Sequence, residues 1–315
     1  MGLGLGYALL TLLAFRAGQN SAILALMSLG FLFVMPFAVG ALTVFVAPPE
    51  LRTSWAYAIL SPWLACVALT IVTAALALEA IICLIMAVPI LLVMSSFGGV
   101  LACVAFRVQR DARRPQGAFV LTLALLGPYV LAPLEQRGPA PDAFRTVHTQ
   151  IVIAADSETV WRNIIRVPVI RPEEQGFSAF HLLGLPRPRE ATLSHEGIGG
   201  VRDATFEGGL TFLETVTEWE HGRGLRFTIE VDRGAPLPAP MGAIGGRYFD
   251  VLEGSYRMEP LGDGTMLLHL DSRERVATRF NGYAGWWTDF IMADLQGYIL
   301  RIIKARCEAE VRRPV

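Results

Sequence analysis

The sequence predicts two modules of different class. An N-terminal all-α transmembrane module is joined to a C-terminal α+β domain whose curved antiparallel sheet wraps one long terminal helix. Three observations carry this reading. Of 55 charged side chains, nine lie in residues 1–134 and 46 in residues 135–315. The first part contains apolar runs long enough to cross a bilayer, which takes roughly 20 residues per helix. The second contains short alternating strands with glycine punctuation, closed by a helix with a single apolar stripe. The whole-chain figures, 17% charged, 53% hydrophobic and a mean hydropathy of +0.46, average over both. They exclude a wholly soluble enzyme and a protein lying entirely in the membrane.

Within residues 1–134, Ser21–Ala47 carries no charge at all. Trp55–Leu78 and Ala80–Phe106 are separated only by Glu79, which reads as a turn at the membrane surface, where an ionisable group settles readily. Gly117–Leu134 adds 18 residues. That makes four spans, and a fifth if the 14 residues Gly2–Phe15 cross. Trp55, Tyr57 and Trp63 cluster near one helix start as interfacial anchors, and Gly98 and Gly99 offer close helix approach. The loop Arg107–Gln116 holds four arginines, so the positive-inside rule places it in the cytoplasm. Residues 135–315 then follow the last span onto the extracytoplasmic side of a multi-pass cell-membrane protein. Lys304 is the single lysine among 27 basic residues, a usage typical of GC-rich bacterial genomes, and the membrane expected is the bacterial inner membrane.

Residues 135–145 read as a linker and 146–315 as the second domain. Thr146–Ala154 alternates as a strand. Asp156 or Ser157 caps a short helix ending at Ile165, and a second short helix is expected around Phe177–Leu183. Six strands follow: Glu190–Glu196, Val201–Phe206, Leu210–Trp219, Leu225–Asp232, Phe249–Glu259 and Met266–Val276. The last helix, Tyr283–Arg312, carries a stripe of Trp287, Ile291, Leu295, Tyr298 and Ile302 at spacings of three and four.

This order resembles the START-like superfamily of polyketide cyclases, dehydrases and lipid-transport proteins (SRPBCC). The residues that carry the resemblance are the opening run Gln150–Trp161, the run Gly197-Ile198-Gly199-Gly200-Val201-Arg202, the run Phe212-Leu213-Glu214-Thr215-Val216-Thr217-Glu218-Trp219, and the closing helix. It covers residues 146–309 and none of the membrane half. The resemblance implies a helix-grip fold, an apolar cavity between sheet and helix, and a hydrophobic ligand; some members catalyse cyclisation or dehydration.

Strand alternation assigns the cavity wall. Phe227 and Ile229 point inward on one strand. Leu252, Gly254 and Tyr256 do so on the next, taking Asp250 with them, and Gly254 leaves room for a ligand or for the helix. On the last strand Leu268, Leu270, Ser272 and Glu274 face in, with Asp250 and Glu274 near solvent at the strand ends. A three-residue turn Glu207-Gly208-Gly209 pairs Ala204 with Phe212 and Arg202 with Glu214, whereas a two-residue turn would oppose Asp203 to Glu214 and turn Phe206 outward. The expected lining is therefore Arg202, Phe206, Phe212, Glu214, Phe227, Ile229, Leu252, Tyr256, Trp287 and Ile291. Arg202 and Glu214 form an ion pair that either orients a ligand head group or serves structure alone.

Candidate catalytic carboxyls are Glu214, Asp250 and Glu274. The five histidines lack metal-ligand spacing, the four cysteines lack a CxxC pair, and no dinucleotide or P-loop fingerprint occurs in a strand–turn–helix setting. No metal or cofactor is therefore expected, and the absence of a basic face excludes nucleic acid. The 15-residue loop Arg233–Arg247, uncharged between its terminal arginines, is a lid or a plain connector. The function expected is a membrane-anchored protein that binds a lipid or a polyketide- or isoprenoid-like molecule. A cyclase or dehydratase using a cavity carboxylate, and a sensory or scaffolding membrane protein, are the alternatives.

Overall fold

The computed structural model describes residues 2–17, 28–76, 78, 81–108, 116–135, 138, 140–234, 244–246 and 248–312. The chain divides into two compact units, residues 1–140 and 141–315.

The first unit is helical: α1 (Gly2–Ala17), a π-helical turn (Gly30–Val34) running into α2 (Met35–Phe45), α3 (Trp55–Ala75), α4 (Ile81–Val108) and α5 (Gln116–Glu135). Among the described residues two helices, α3 and α4, are long and apolar enough to cross a membrane. Glu79 and the arginines at 110, 113 and 114 lie outside the described residues, as do residues 21–27 of the expected span Ser21–Ala47. Glycine sets the helix packing, as expected at Gly98 and Gly99. A Cβ on Gly98 would strike the Phe37 carbonyl and one on Gly99 the Ala58 carbonyl; Gly40 faces Ser95 in the same way. Such small residues let helix backbones approach closely. Ser54 caps α3 by accepting from Tyr57 N, and the Glu135 carboxylate accepts from Leu29 N and Gly30 N at 2.8 Å each.

The second unit is the helix grip. Its elements are β1 (Ala143–Ile153), α6 (Ser157–Ile165), α7 (Ala179–Leu182), β2 (Pro188–Leu193), β3 (Val201–Phe206), β4 (Thr211–Glu220), β5 (Gly224–Val231), β6 (Phe249–Pro260), β7 (Met266–Val276) and α8 (Asn281–Arg312). The seven strands form one antiparallel sheet in the order β1-β7-β6-β5-β4-β3-β2. Strand β1 begins at Ala143, inside the stretch read as linker.

Two apolar clusters fill the space between sheet and α8. Around Trp161, fully covered and edge-on to Trp219 at 4.9 Å, gather Phe227, Tyr256, Met258, Leu268, Leu300 and Ile303. Around Tyr298 gather Val147, Phe180, Phe206, Leu210, Val251, Met292, Leu295 and Ile302. Asp156 caps α6 by accepting from Thr159 N at 2.8 Å, and the Glu207–Gly209 turn places Gly208 and Gly209 at φ 74° and 84°, which glycine adopts without strain.

Four expectations about the sheet need correction. A bulge at Leu252, between the pairs Val251–Glu274 and Glu253–Arg273, shifts the parity of β6. Val251 takes the inward position, Leu252 is left partly exposed at the bulge, and Asp250 shares the convex face with its partner Arg275. The room above Gly254 is occupied, because a Cβ there would lie 2.5 and 2.8 Å from Phe227 Cε2 and Cζ. Glu274 is not near solvent; it is 0% exposed.

The close approach at Gly254 gives a stability test. Gly254→Val overpacks the Phe227 ring and is expected to cost about 1–3 kcal/mol. Urea midpoints of residues 141–315 measure it, and Phe227→Leu in the Gly254→Val background should restore part of the loss.

Candidate functional site

At one end of the grip the concave face opens. Phe212, Ile229, Val231, Ile244 and Phe249 on the sheet side, and Ile291 on α8, pack against the Tyr298 cluster yet stay partly exposed. These inward-facing apolar residues form a half-covered patch, the candidate mouth of a site. Phe206 lies beneath, edge-on to Phe212 at 5.4 Å. The Arg233–Arg247 loop leaves the sheet here, Ile244 bridging to Phe249; its residues 235–243 and 247 lie outside the described residues.

The Arg202–Glu214 pair stands below this mouth on neighbouring strands, in the expected register. Arg202 is 4% and Glu214 8% exposed, and Nη1 of the arginine donates to Oε2 of the acid. The guanidinium carbon sits 5.8 Å from the Phe227 ring centre and 6.0 Å from that of Tyr256. Burial works against its charge, but Glu214 and then Tyr256 outweigh burial and hold its pKa above the ordinary value. Burial likewise raises the Glu214 pKa, with Arg202 opposing. Arg202 Nε is covered and has no hydrogen-bond partner.

Glu274, on the same concave face, is three strands from Glu214 across the sheet. Gln296 on α8 receives the Thr149 hydroxyl on Oε1 at 2.9 Å and donates from Nε2 to Ser272 Oγ at 2.5 Å. Ser272 Oγ donates in turn to Glu274 Oε1. Glu274 Oε2 is buried without a partner. Burial pushes this carboxyl up from 4.5 to about 7, against the Ser272 bond; Asp289 adds to the rise and Arg145 opposes it. Arg145 Nε donates to Asp289 Oδ1 at 2.6 Å, passing over Gly285, where a Cβ would lie 2.8 Å from its Nη1.

Of the remaining expected residues, Phe227 and Tyr256 belong to the packed Trp161 cluster, and Trp287 joins an aromatic group with Tyr283, Trp286 and Phe290. Of the candidate catalytic carboxyls, Asp250 is on the convex face and Glu214 is engaged by Arg202, which leaves Glu274 as the one with an uncommitted oxygen. Sequence reasoning missed His181. Its ring lies edge-on to Tyr298 at 4.5 Å, and both its nitrogens and the Tyr298 hydroxyl are buried without partners. Burial and Arg187 lower the His181 pKa, while Asp294 and Glu207 oppose. The helical spacing of Tyr298 was legible, but nothing local to His181 indicated the contact. Among the described residues no three His, Cys, Asp or Glu side chains converge as a metal site.

No protein-family model matches the chain, and no curated protein matches it. Solved structures with a similar fold include a START superfamily protein from Mycobacterium smegmatis, at 13% identity and a TM-score of 0.36, covering 52% of this chain and 98% of that one. They also include norcoclaurine synthase from Thalictrum flavum in complex with dopamine and hydroxybenzaldehyde, at 12% identity and a TM-score of 0.34, covering 55% and 91%. A protein from Arthrobacter aurescens aligns at 14% identity and a TM-score of 0.33, covering 52% and 86%.

The buried acid makes stability depend on pH. Its folded pKa lies above the ordinary value, so the folded state holds the proton more tightly and is destabilised as pH rises from about 4.5 through 7. Glu274→Gln keeps the bond from Ser272 and removes the ionisation. Urea midpoints should show the variant near wild type at pH 4.5 and more stable by up to about 3 kcal/mol at pH 8.

Proposed function

We propose that the chain is a membrane-anchored protein whose C-terminal START-like domain binds a hydrophobic small molecule at the open end of the grip. One observation carries the reading: inward apolar side chains, Phe212, Ile229, Val231, Phe249 and Ile291, remain partly exposed above a covered ion pair. An apolar opening with few placed polar groups is what a binding site for a mostly apolar molecule requires. Arg202 and Glu214 orient the polar end of that molecule, and the apolar wall shields the rest from water. Lipids and polyketide- or isoprenoid-like molecules have this character.

The helices of residues 1–140 anchor the domain and raise its concentration at the bilayer, where such molecules reside. Arg107 supports the multi-pass arrangement. Its Nε donates to the Thr53 carbonyl at 2.9 Å and its guanidinium lies 4.5 Å from the Trp55 ring, while Arg52 lies 5.1 Å from the Phe106 ring. Both arginines thus belong to one end of the α3–α4 pair, as a common cytoplasmic side requires. Residues 141–315 then lie on the extracytoplasmic side.

Two experiments test these proposals. Full-length protein purified in a non-ionic detergent should release a defined hydrophobic molecule on solvent extraction, identified by mass spectrometry. The Arg202→Met/Glu214→Leu double variant removes both buried charges together, so the domain should fold while retention falls about tenfold or more, the equivalent of 1.4 kcal/mol. Equal retention would leave the pair a structural role only. For topology, a C-terminal alkaline phosphatase fusion should be active and a C-terminal green fluorescent protein fusion dark; the reverse result would put the domain in the cytoplasm.

A further inference from the structure

The Glu274 carboxyl is held asymmetrically. Its Oε1 ends a chain that starts at Thr149 on β1, passes through Gln296 on α8 and reaches it by way of Ser272 on β7. Gln296 Nε2 also donates to the Val147 carbonyl at 3.3 Å. Every polar atom that the chain uses is satisfied, and the chain fixes the orientation of the carboxyl. Oε2 is left covered and unpartnered at a residue that is 0% exposed. Folded proteins seldom leave such an atom unpaired. The elements packed against it bring two charged groups, Arg145 from β1 and Asp289 from α8, and these are bonded to each other. From β6 it faces Val251, which belongs to the apolar cluster under the mouth.

We infer that Glu274 is a second polar contact for the bound molecule, donating its Oε2 proton to an acceptor oxygen such as a ketone or ester carbonyl on an otherwise apolar, uncharged ligand. This rests on the ligand-binding reading above and narrows the class of ligand it admits. Charge supports the narrowing. Arg202 is neutralised by Glu214 and Arg145 by Asp289, so neither of the two arginines beside these carboxyls is left for a carboxylate or phosphate. An anionic head group would find neither cation free, and would repel Glu274 wherever that carboxyl ionises. A neutral acceptor meets a carboxylic acid whose other oxygen is already immobilised, so little rotational freedom is lost on binding. The high pKa of this carboxyl keeps the donor form populated up to neutral pH, the device by which an apolar site retains a proton-donating acid.

The test uses the full-length chain in non-ionic detergent, incubated with an equimolar mixture of 2-heptadecanone, heptadecane and heptadecanoic acid at pH 5.5 and pH 8.5. Retained probes are then quantified by mass spectrometry. The ketone should be retained over both others at pH 5.5, and its retention should fall about tenfold or more at pH 8.5, as a single donor ionising near neutrality requires. Glu274→Gln, whose amide donates at either pH, should retain the ketone and lose the pH dependence. Glu274→Leu should lose the preference for ketone over alkane. An unchanged pH profile in Glu274→Gln, or equal retention of ketone and alkane by wild type, overturns the inference while leaving ligand binding intact. Retention of none of the three overturns the ligand-binding reading with it. Thermal melts of each variant separate loss of the contact from loss of the fold.

Discussion

The long helix α8 lying in the concave face of the sheet is the constraint from which the second unit follows. A sheet with one apolar face must cover it, and α8 does so along its length, from Trp287 past Leu295 and Tyr298 to Ile303. Most of what faces inward on the seven strands is therefore desolvated, whether apolar or not. Arg202, Glu214, Ser272 and Glu274 are buried because strand alternation puts them on that face. Arg202 and Glu214 pair with each other, and Ser272 is bonded by Gln296 from the helix itself. At one end Phe212, Ile229 and Ile291 stay half covered on the same inward faces, and the proposed site lies there.

Much of this was legible because two independent signals agreed at the same residues. The β3–β4 register followed from turn length, glycine placement, hydrophobic alternation and charge, all of which selected Arg202 opposite Glu214. Strands β3 and β7 have the expected bounds, and the Gly98 and Gly99 contacts followed from residue size alone. The errors came where one signal stood unopposed. Nothing at Leu252 marks a bulge, since neither glycine nor proline stands there, so strict alternation carried Asp250 and Leu252 to the wrong face. Gly254 read as empty space because the reach of Phe227 from the neighbouring strand is a matter of rotamer, not of pattern.

The burial of Glu274 illustrates the deeper limit. Position near a strand end suggested solvent, yet other elements pack over this strand, among them α8, whose Gln296, bonded to Ser272, lies 22 positions beyond Glu274 along the chain. The same holds for His181 and Tyr298, brought ring to ring across more than a hundred residues. Polarity that depends on tertiary contact has no local signature. Alternation says which face a residue takes, and only the docking of α8 says how dry that face becomes.

That dryness bears on why position 274 holds an acid at all. Glutamine there would accept the same Ser272 hydrogen bond, fill nearly the same volume and carry no ionisation to suppress. The acid costs stability at neutral pH, since a carboxyl in apolar surroundings must either keep its proton or leave a charge unsolvated. The neighbouring Arg145 does not relieve it, being committed to Asp289. A group expected to be worse for stability than its isostere, held through a hydrogen-bonded chain and left with one oxygen unused, has the features of a site residue. The Arg202–Glu214 pair differs in kind. Each of its charges requires the other, so it stands as structure whether or not a ligand is present. Glu274 keeps one oxygen that the fold leaves unused, and that oxygen is the more telling sign for the proposed ligand site.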